Sequence, residues 1–331
     1  LIKTKEITMH YLKFFVLSFF AVLSLMIVPS QAQPATSSTP LRIIVAFPPG
    51  GAPDIAARML GTAMSPKLGQ PVFVENRTGA GGLVGAMGAA SSKDGHTLFM
   101  ATASLAILPS LNPSVGYDLE RDFDPIGWVS SFPAVLVVPA KSKFNTFAEL
   151  LADMKARPGQ MLCGNGGIGT SAHLGLELFL ELTKTSCNGV PYRGEGALVP
   201  ALMVNEVEMA FANLPGILPQ IRAGTLRALA VASDDPVPEL PEVPTLRSLG
   251  IPGTDVQGWV VLLASKGMSP ERLAQLESLL EKTLTEESVR KTLVASGIRP
   301  VVGGSNKLRA YLKSEYKRWG DVIRSRGIKP Q

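Results

Sequence analysis

The sequence predicts an α/β fold of two domains, each a doubly wound, mostly parallel sheet with flanking helices. Three observations predict it. The chain has 331 residues, and a mature chain of about 300 residues exceeds one ordinary hydrophobic core. Hydrophobic residues make up 46% and charged residues 18%, a globular balance that disorder would reverse. Short β-branched runs alternate with helix-length stretches in the order strand–helix–strand–helix–strand, which a parallel, doubly wound sheet requires.

The chain opens with an export signal. Lys3, Lys5 and Lys13 precede an uncharged run over residues 14–28, and Pro29 and Ser30-Gln31-Ala32 follow. This is a basic segment, an apolar segment and a small-x-small cleavage site. The apolar run spans about 22 Å as a helix, short of the roughly 30 Å of a bilayer core. We therefore read residues 1–32 as a signal peptide cleaved near Ala32, and residues 33–40 (QPATSSTP) as a flexible leader. The alternative is a retained anchor.

Residues 41–47 (LRIIVAF) form a buried strand that stops at Pro48-Pro49-Gly50-Gly51. Pro53 then starts a helix, with Asp54 in its first turn. Residues 71–76 (PVFVEN) are the next strand, and a Gly-rich turn leads into a small-residue helix. Gly82, Gly85 and Gly88 share one side of that helix and allow close packing. Residues 96–101 are a third strand. Residues 133–138 (PAVLVV) are another buried strand, followed by a helix over 146–156, a strand over 160–164 and a helix over 171–182. Strands follow at 188–192, 207–211 and 226–231. Residues 236–252 carry five prolines and read as irregular. Residues 256–264 (VQGWVVLLA) are a late buried strand. From Pro270 the chain is helical, with Leu273, Leu276, Leu280 and Leu284 at helical spacing. The last helix covers 306–324, with Leu308, Leu312, Tyr316, Trp319 and Ile323 on its apolar side.

Charge and cysteine content exclude several functions. Lys and Arg number 32 against 27 Asp and Glu, a formal charge of +5. Removing three lysines and Glu6 with the signal leaves about +3, with no basic run to mark a nucleic-acid surface. Two cysteines cannot build a four-cysteine zinc site. Cys163 and Cys187 are assigned to strands flanking one helix. In an oxidising compartment such neighbours can pair, and we expect the bridge; the alternative is two buried free thiols.

Three strand-to-helix turns carry the candidate chemistry: residues 47–54 (FPPGGAPD), 77–82 (RTGAGG) and 164–171 (GNGGIGTS). Each exposes backbone N–H groups at a helix N-terminus, where the helix dipole favours an anion. In an open parallel sheet such turns lie at the carboxyl ends of the strands, where ligands bind. Tight turns also need glycine for their own geometry. Gly164, Gly166 and Gly169 match a dinucleotide fingerprint in form, but only Glu195 loosely meets the acid that should follow. The same turn resembles a phosphate loop, yet Thr170 stands where the lysine must be. A neutral cradle with hydroxyls remains, suited to a carboxylate.

Covalent and metal chemistry find little support. Past the signal the histidines are His96 and His173. Ser171 and His173 diverge by about 200° on a helix, poorly placed as nucleophile and base. Metal binding lacks a second histidine at helical spacing and an acidic cluster. Asp54 either contacts the ligand or offsets the helix dipole. Asn213 either points into a cleft or caps the turn before Pro215.

The segments PPGGAPD, ENRTGAGG, GIGTSAHL, VPYRGEG and FANLPGILPQIRAGTLRALAV together resemble the Bug-type solute receptors of tripartite tricarboxylate transporters, from Leu41 to the C-terminus. The resemblance implies a two-domain periplasmic binding protein of type II topology. It implies a small organic acid as ligand, no cofactor, delivery to membrane transporter subunits, and no enzymatic activity. The chain is then a periplasmic monomer. An exported α/β hydrolase or isomerase acting on a small acid is the alternative, separable by turnover.

Carried over by position, the ligand contacts would be Phe47, Gly50, Gly51, Asp54, Ala80, Gly81 and Ser104 from the first domain. Gly167, Thr170, Ser171, His173 and Asn213 would come from the second. Relatives often carry Asp where Ala212 stands, and Thr or Ser where Pro53 stands. Residues 41–139 with 265–331 would form domain one and 140–264 domain two, because the late strand is followed by helices that need a sheet to cover. The Gly50-Gly51 and Ala80-Gly81 turns are expected to grip one carboxylate, with Thr170, Ser171 and His173 closing from the other side.

Overall fold

The computed structural model describes residues 39–328. The expected signal peptide, and the leader as far as residue 38, lie outside the described residues. Strand β1 (Leu41–Val45) pairs in parallel with β2 (Val72–Asn76) and β3 (Thr97–Thr102). Helix α1 (Ala52–Leu68) connects β1 to β2, with a proline in its first turn and Gly69 in the left-handed region at its end. Its buried face, Ala56, Ala57, Leu60 and Met64, packs with Leu41, Ile43 and Val45 of β1. Helix α2 (Leu83–Ser91) connects β2 to β3. A Cβ at Gly85 would stand 2.7 Å from Ala46 Cα, so this small-residue helix lies closer to the sheet than any larger residue allows.

Two long strands bind the molecule together. Strand β4 (Phe123–Pro139) covers 17 residues. Its Phe123–Pro133 part runs antiparallel to β9 (Gln257–Ser265), which also runs antiparallel to β3. The Ala134–Pro139 part leaves β9 and pairs with β7 (Met209–Asn213) and β8 (Leu226–Ala232). Strand β5 (Leu162–Asn165) lies parallel to both β7 and β6 (Asn188–Pro191). The order is β2-β1-β3-β9-β4-β7-β5-β6, with β8 and β10 (Arg299–Pro300) branching from β4. Parallel pairing thus holds within β1–β3 and within β5–β7, while β4, β8 and β9 run antiparallel where the chain crosses and returns.

Helix α3 (Ser104–Leu111) and the short α4 (Leu119–Asp122) separate β3 from β4. Helix α5 (Phe147–Ala156) starts with a capping box between Thr146 and Glu149. Helix α6 (Ser171–Thr183) links β5 to β6, α7 (Glu195–Met203) links β6 to β7, and α8 (Leu214–Arg222) links β7 to β8. Near the C-terminus stand α9 (Pro270–Thr285), capped by Ser269, then α10 (Glu287–Ala295) and α11 (Ser305–Arg326). Helix α9 packs on α1 and β4, and α11 packs on α3 and β4. Helix α11 is pinned from within: the buried Glu315 carboxylate accepts from the indole N–H of Trp259 on β9 at 3.1 Å and of Trp319 at 2.9 Å.

Several elements differ from expectation for local reasons. The sequence suggests a strand only over 133–138, because Pro125, Gly127, Ser130 and Ser131 break the apolar run. Pairing with β9 carries the strand through them by shifting register at Pro125/Gly127 and Trp128/Ser130. Helices α3, α7 and α8 are not evident from local sequence, because each holds an internal proline, at 109, 200 and 219. Cys187 lies one residue before β6 rather than on it. Its sulfur is bonded to that of Cys163 on β5, and their Cα atoms are 6.1 Å apart.

Candidate functional site

Five helices begin around one cleft. Gly51 and Ala52 at the start of α1, Ala103 and Ser104 of α3, Thr170 and Ser171 of α6, Gly194 and Glu195 of α7, and Asn213 before α8 all line it. Phe47, Phe132 and Trp259 supply apolar walls. The space between the lining atoms totals about 580 Å³, open solvent at the mouth included. No lysine or arginine is among the lining residues. Each helix start carries roughly half a positive charge on its unpaired N–H groups. The positive ends in the cleft are thus those of backbone dipoles rather than of side-chain cations, and Glu195 is the acid among the lining residues.

The side chains in the cleft form an ordered network. Ser171 Oγ donates to Asn213 Oδ1 at 3.2 Å. Asn213 donates to Glu195 Oε1 twice, from Nδ2 at 2.8 Å and from its backbone N–H at 3.2 Å. Glu195 is half-buried and surrounded by protein; burial raises its carboxyl above the usual range, and the Asn213 bonds only partly offset this. It is wedged beside Gly166 and Gly216: a Cβ at Gly216 would stand 2.5 Å from Glu195 Cβ. Ser104 Oγ is buried and makes no hydrogen bond among the described residues. Thr170 Oγ1 is already used as a cap, donating to Gly167 O at 2.7 Å and accepting from His173 N–H at 3.2 Å.

The expected contact residues divide between places. Phe47, Gly51, Ser104, Thr170, Ser171 and Asn213 line this cleft. Ala80, Gly81 and Gly167 line an adjoining cavity of about 1070 Å³, and Phe47, Pro48, Gly166 and Gly194 border both. The Ala80-Gly81 turn thus does not share one small pocket with Gly51. It meets the third turn instead: a Cβ on Gly81 would run into the carbonyl oxygen of Ile168, and one on Gly169 would stand 2.8 Å from Leu108 Cδ2.

Gly50, Asp54 and His173 line neither cavity. Asp54 is buried and its carboxylate is fully engaged. It accepts from Gly50 N–H at 3.1 Å, Arg58 Nε at 3.1 Å and Asn76 Nδ2 at 2.9 Å. Burial alone would raise this carboxyl, but the Arg58, Asn76 and Gly50 bonds outweigh it and hold it low. Asp54 therefore shapes the first turn, and Gly50 spends its N–H on Asp54. His173 is buried beneath the third turn, where its Nδ1 accepts from Gly169 N–H at 3.5 Å. Burial lowers its pKa to about 4, so the imidazole is neutral near pH 7. Ser171 turns to Asn213 and His173 to Gly169, so the two do not form a nucleophile–base pair.

Sequence reasoning missed Phe132, Trp259 and Glu195 as cleft residues. Phe132 and Trp259 sit in apolar strand contexts that read as core. Glu195 did carry a signal, because it directly follows Gly194 at the end of a strand, where a helix start would point it inward.

No helix among the described residues is long and apolar enough to cross a membrane, and no group of His, Cys, Asp and Glu could hold a metal ion. Residues 56–328 match the family described as the tripartite tricarboxylate transporter family receptor. Protein BugT of Bordetella pertussis is 37% identical over 305 residues, covering 90% of this chain and 94% of BugT. A Rhodopseudomonas palustris protein solved with adipate superposes with a TM-score of 0.85 at 28% identity, covering 88% of this chain and 99% of that one. MatC from Rhodopseudomonas palustris, solved with bound malate, gives a TM-score of 0.79 at 28% identity, covering 86% of this chain and 98% of that one. With this architecture and this sequence agreement along the whole described chain, the protein belongs to the Bug-type receptors of the tripartite tricarboxylate transporter family.

Proposed function

We propose that this chain is an extracytoplasmic receptor that captures a small organic acid in the five-helix cleft and delivers it to a tripartite membrane transporter. The observation that carries this reading is the convergence of five helix starts on a cleft without a lysine or arginine. Such a site offsets a carboxylate's charge with fixed dipoles and N–H groups, each charge-assisted bond contributing roughly 1.5–3 kcal/mol. Adipate and malate in the related structures support a carboxylate ligand here.

On this reading the protein is exported to the periplasm, with residues 1–32 removed, and acts as a monomer without turnover. Residues 41–139 with 265–331 form one lobe and 140–264 the other, and the chain crosses between them on β4 and at β9. Of the residues carried over from the family, Gly51, Ser104, Ser171 and Asn213 contact the ligand, Phe47 covers it, and Asp54, Thr170 and His173 hold the turns in place. A thermal-shift screen of the mature protein over mono-, di- and tricarboxylates tests the reading, since a ligand bound only by the native state raises Tm by mass action. Stabilisation by an acid with one-to-one stoichiometry and no chemical change is expected. Conversion of the acid would instead make the protein an enzyme, and no response to any acid would remove the ligand class.

A further inference from the structure

Resting on the reading of delivery to a membrane transporter, we propose that the outward face of α11 docks on that transporter and takes an extracytoplasmic segment of it that carries acidic side chains beside apolar ones. The charge pattern of the helix leads to this. Arg309, Lys313, Lys317 and Arg324 are exposed and fall within a sector of about 80° around the helix axis. Arg309, Lys313 and Lys317 follow one another at i, i+4, where like charges repel. Asp321 pairs with Lys317 at 2.8 Å and with Arg324 at 2.6 Å. Arg309 and Lys313 have no acidic residue at helical spacing, and they make no ion pair or hydrogen bond among the described residues. The helix thus carries a cationic stripe whose N-terminal half the fold leaves unpaired.

An apolar groove runs beside the stripe. Pro109, Pro113, Leu119 and Leu312 line it next to Arg309 and Lys313, and the space between its lining atoms totals about 1580 Å³, open solvent included. Leu308, Leu312, Trp319 and Ile323 of α11 are buried, but Tyr316, which also lines the groove, is 45% exposed. A ring with a polar tip suits an interface. Asp118 and Glu120 stand among the lining residues on the α4 side, so the occupant's acidic groups belong on the α11 side, which sets its orientation. The inner face of the same helix reaches the binding cleft. Glu315 holds Trp259 of the cleft wall, and Arg318 Nη2 donates to Asp255 O at 3.2 Å, just before β9 begins. A transporter docked on α11 would therefore engage a helix tied to the cleft wall and to the start of a crossing strand.

Photo-crosslinking in cells that carry the transporter tests the proposal. The crosslinker p-benzoylphenylalanine replaces Tyr316 or, in separate variants, Phe73 or Val204, which are 59% and 75% exposed on other elements. Tyr316 is expected to crosslink to a membrane-spanning protein, through a peptide that contains Asp or Glu. Arg309→Glu with Lys313→Glu should cut that yield at least about tenfold, because like charges then face each other. The same pair should leave acid binding in the thermal-shift screen unchanged, which also shows that the variant folds. Lys291→Glu, on the exposed side of α10, should leave the yield as it is. Crosslinking to a membrane protein from Phe73 or Val204 and not from Tyr316 would overturn the proposal while leaving delivery intact. So would a product made of two copies of this chain, or a charge reversal without effect. Binding to phosphatidylglycerol vesicles with no protein product at Tyr316 would assign the stripe to lipid instead and overturn the proposal. Absence of a membrane-protein product from all three positions would remove delivery itself, and the docking surface with it.

Discussion

Replacing Gly81 with alanine tests whether the second and third turns must meet for the acid to be held. Gly81 has φ +64°, in the left-handed region, where an alanine costs about 1 kcal/mol or more. Its added Cβ would also run into the Ile168 carbonyl oxygen, with Leu108 Cδ2 at 3.6 Å closing the other side. The obstacle is backbone, so no rotamer change relieves it, and overpacking of this kind costs roughly 1–3 kcal/mol. Together the two terms reach about 2–4 kcal/mol if the turns remain in contact. The chain can avoid the second term by parting the turns, and the closed cleft is then lost instead. If the turns can part in the free protein and must meet to hold the acid, this cost falls on binding, and calorimetry with an acid found by the thermal-shift screen should show binding at least about thirtyfold weaker, since 2 kcal/mol is about that factor. The variant should still unfold cooperatively. As a control, Gly189→Ala adds a Cβ with nothing within 4 Å and should bind like the wild type. Wild-type affinity in Gly81→Ala would refute the claim that contact between the two turns supports binding.

The Cys163–Cys187 bond closes a separation of 24 residues, worth about 3 kcal/mol in the chain-entropy account; denatured, unreduced protein should take up no thiol label, and reduction should lower Tm by several degrees. His173 has its pKa depressed to about 4 by burial, against about 6.5 unfolded. The unfolded chain therefore binds the extra proton first, and stability should fall as pH drops from about 6.5 towards 4, by up to about 3 kcal/mol. His173→Gln should flatten that part of a denaturation series, and an unchanged slope would show that other groups carry it. Glu315→Ala leaves the indole N–H groups of Trp259 and Trp319 unpaired in the core; a loss of about 2–5 kcal/mol is expected in urea unfolding, with weaker ligand binding because Trp259 walls the cleft.

Local sequence determined most of the elements and where their helix starts fall. The β-branched runs at 41–47 and 71–76, and the proline and acid opening α1, act within a few residues of themselves. The three Gly-rich turns likewise declare helix starts without help from distant parts of the chain. Tertiary structure decided what those turns face. Asp54 reads equally as a ligand contact or a dipole partner until Arg58 and Asn76 are seen to occupy it. The Ala80-Gly81 turn lines a neighbouring cavity rather than the pocket at Gly51, because its position depends on Ile168 and Leu108 from distant elements. The path of β4 through Pro125 and Gly127 exists only because β9 pairs with it across the register shifts. Glu195 shows the limit most clearly: its identity and its place at a helix start are local, but its role depends on Asn213, Gly166 and Gly216 closing around it. Propensity and turn chemistry act over one or two turns of chain, whereas a cleft lies between elements that distant residues bring together, and its chemistry is settled only when they pack.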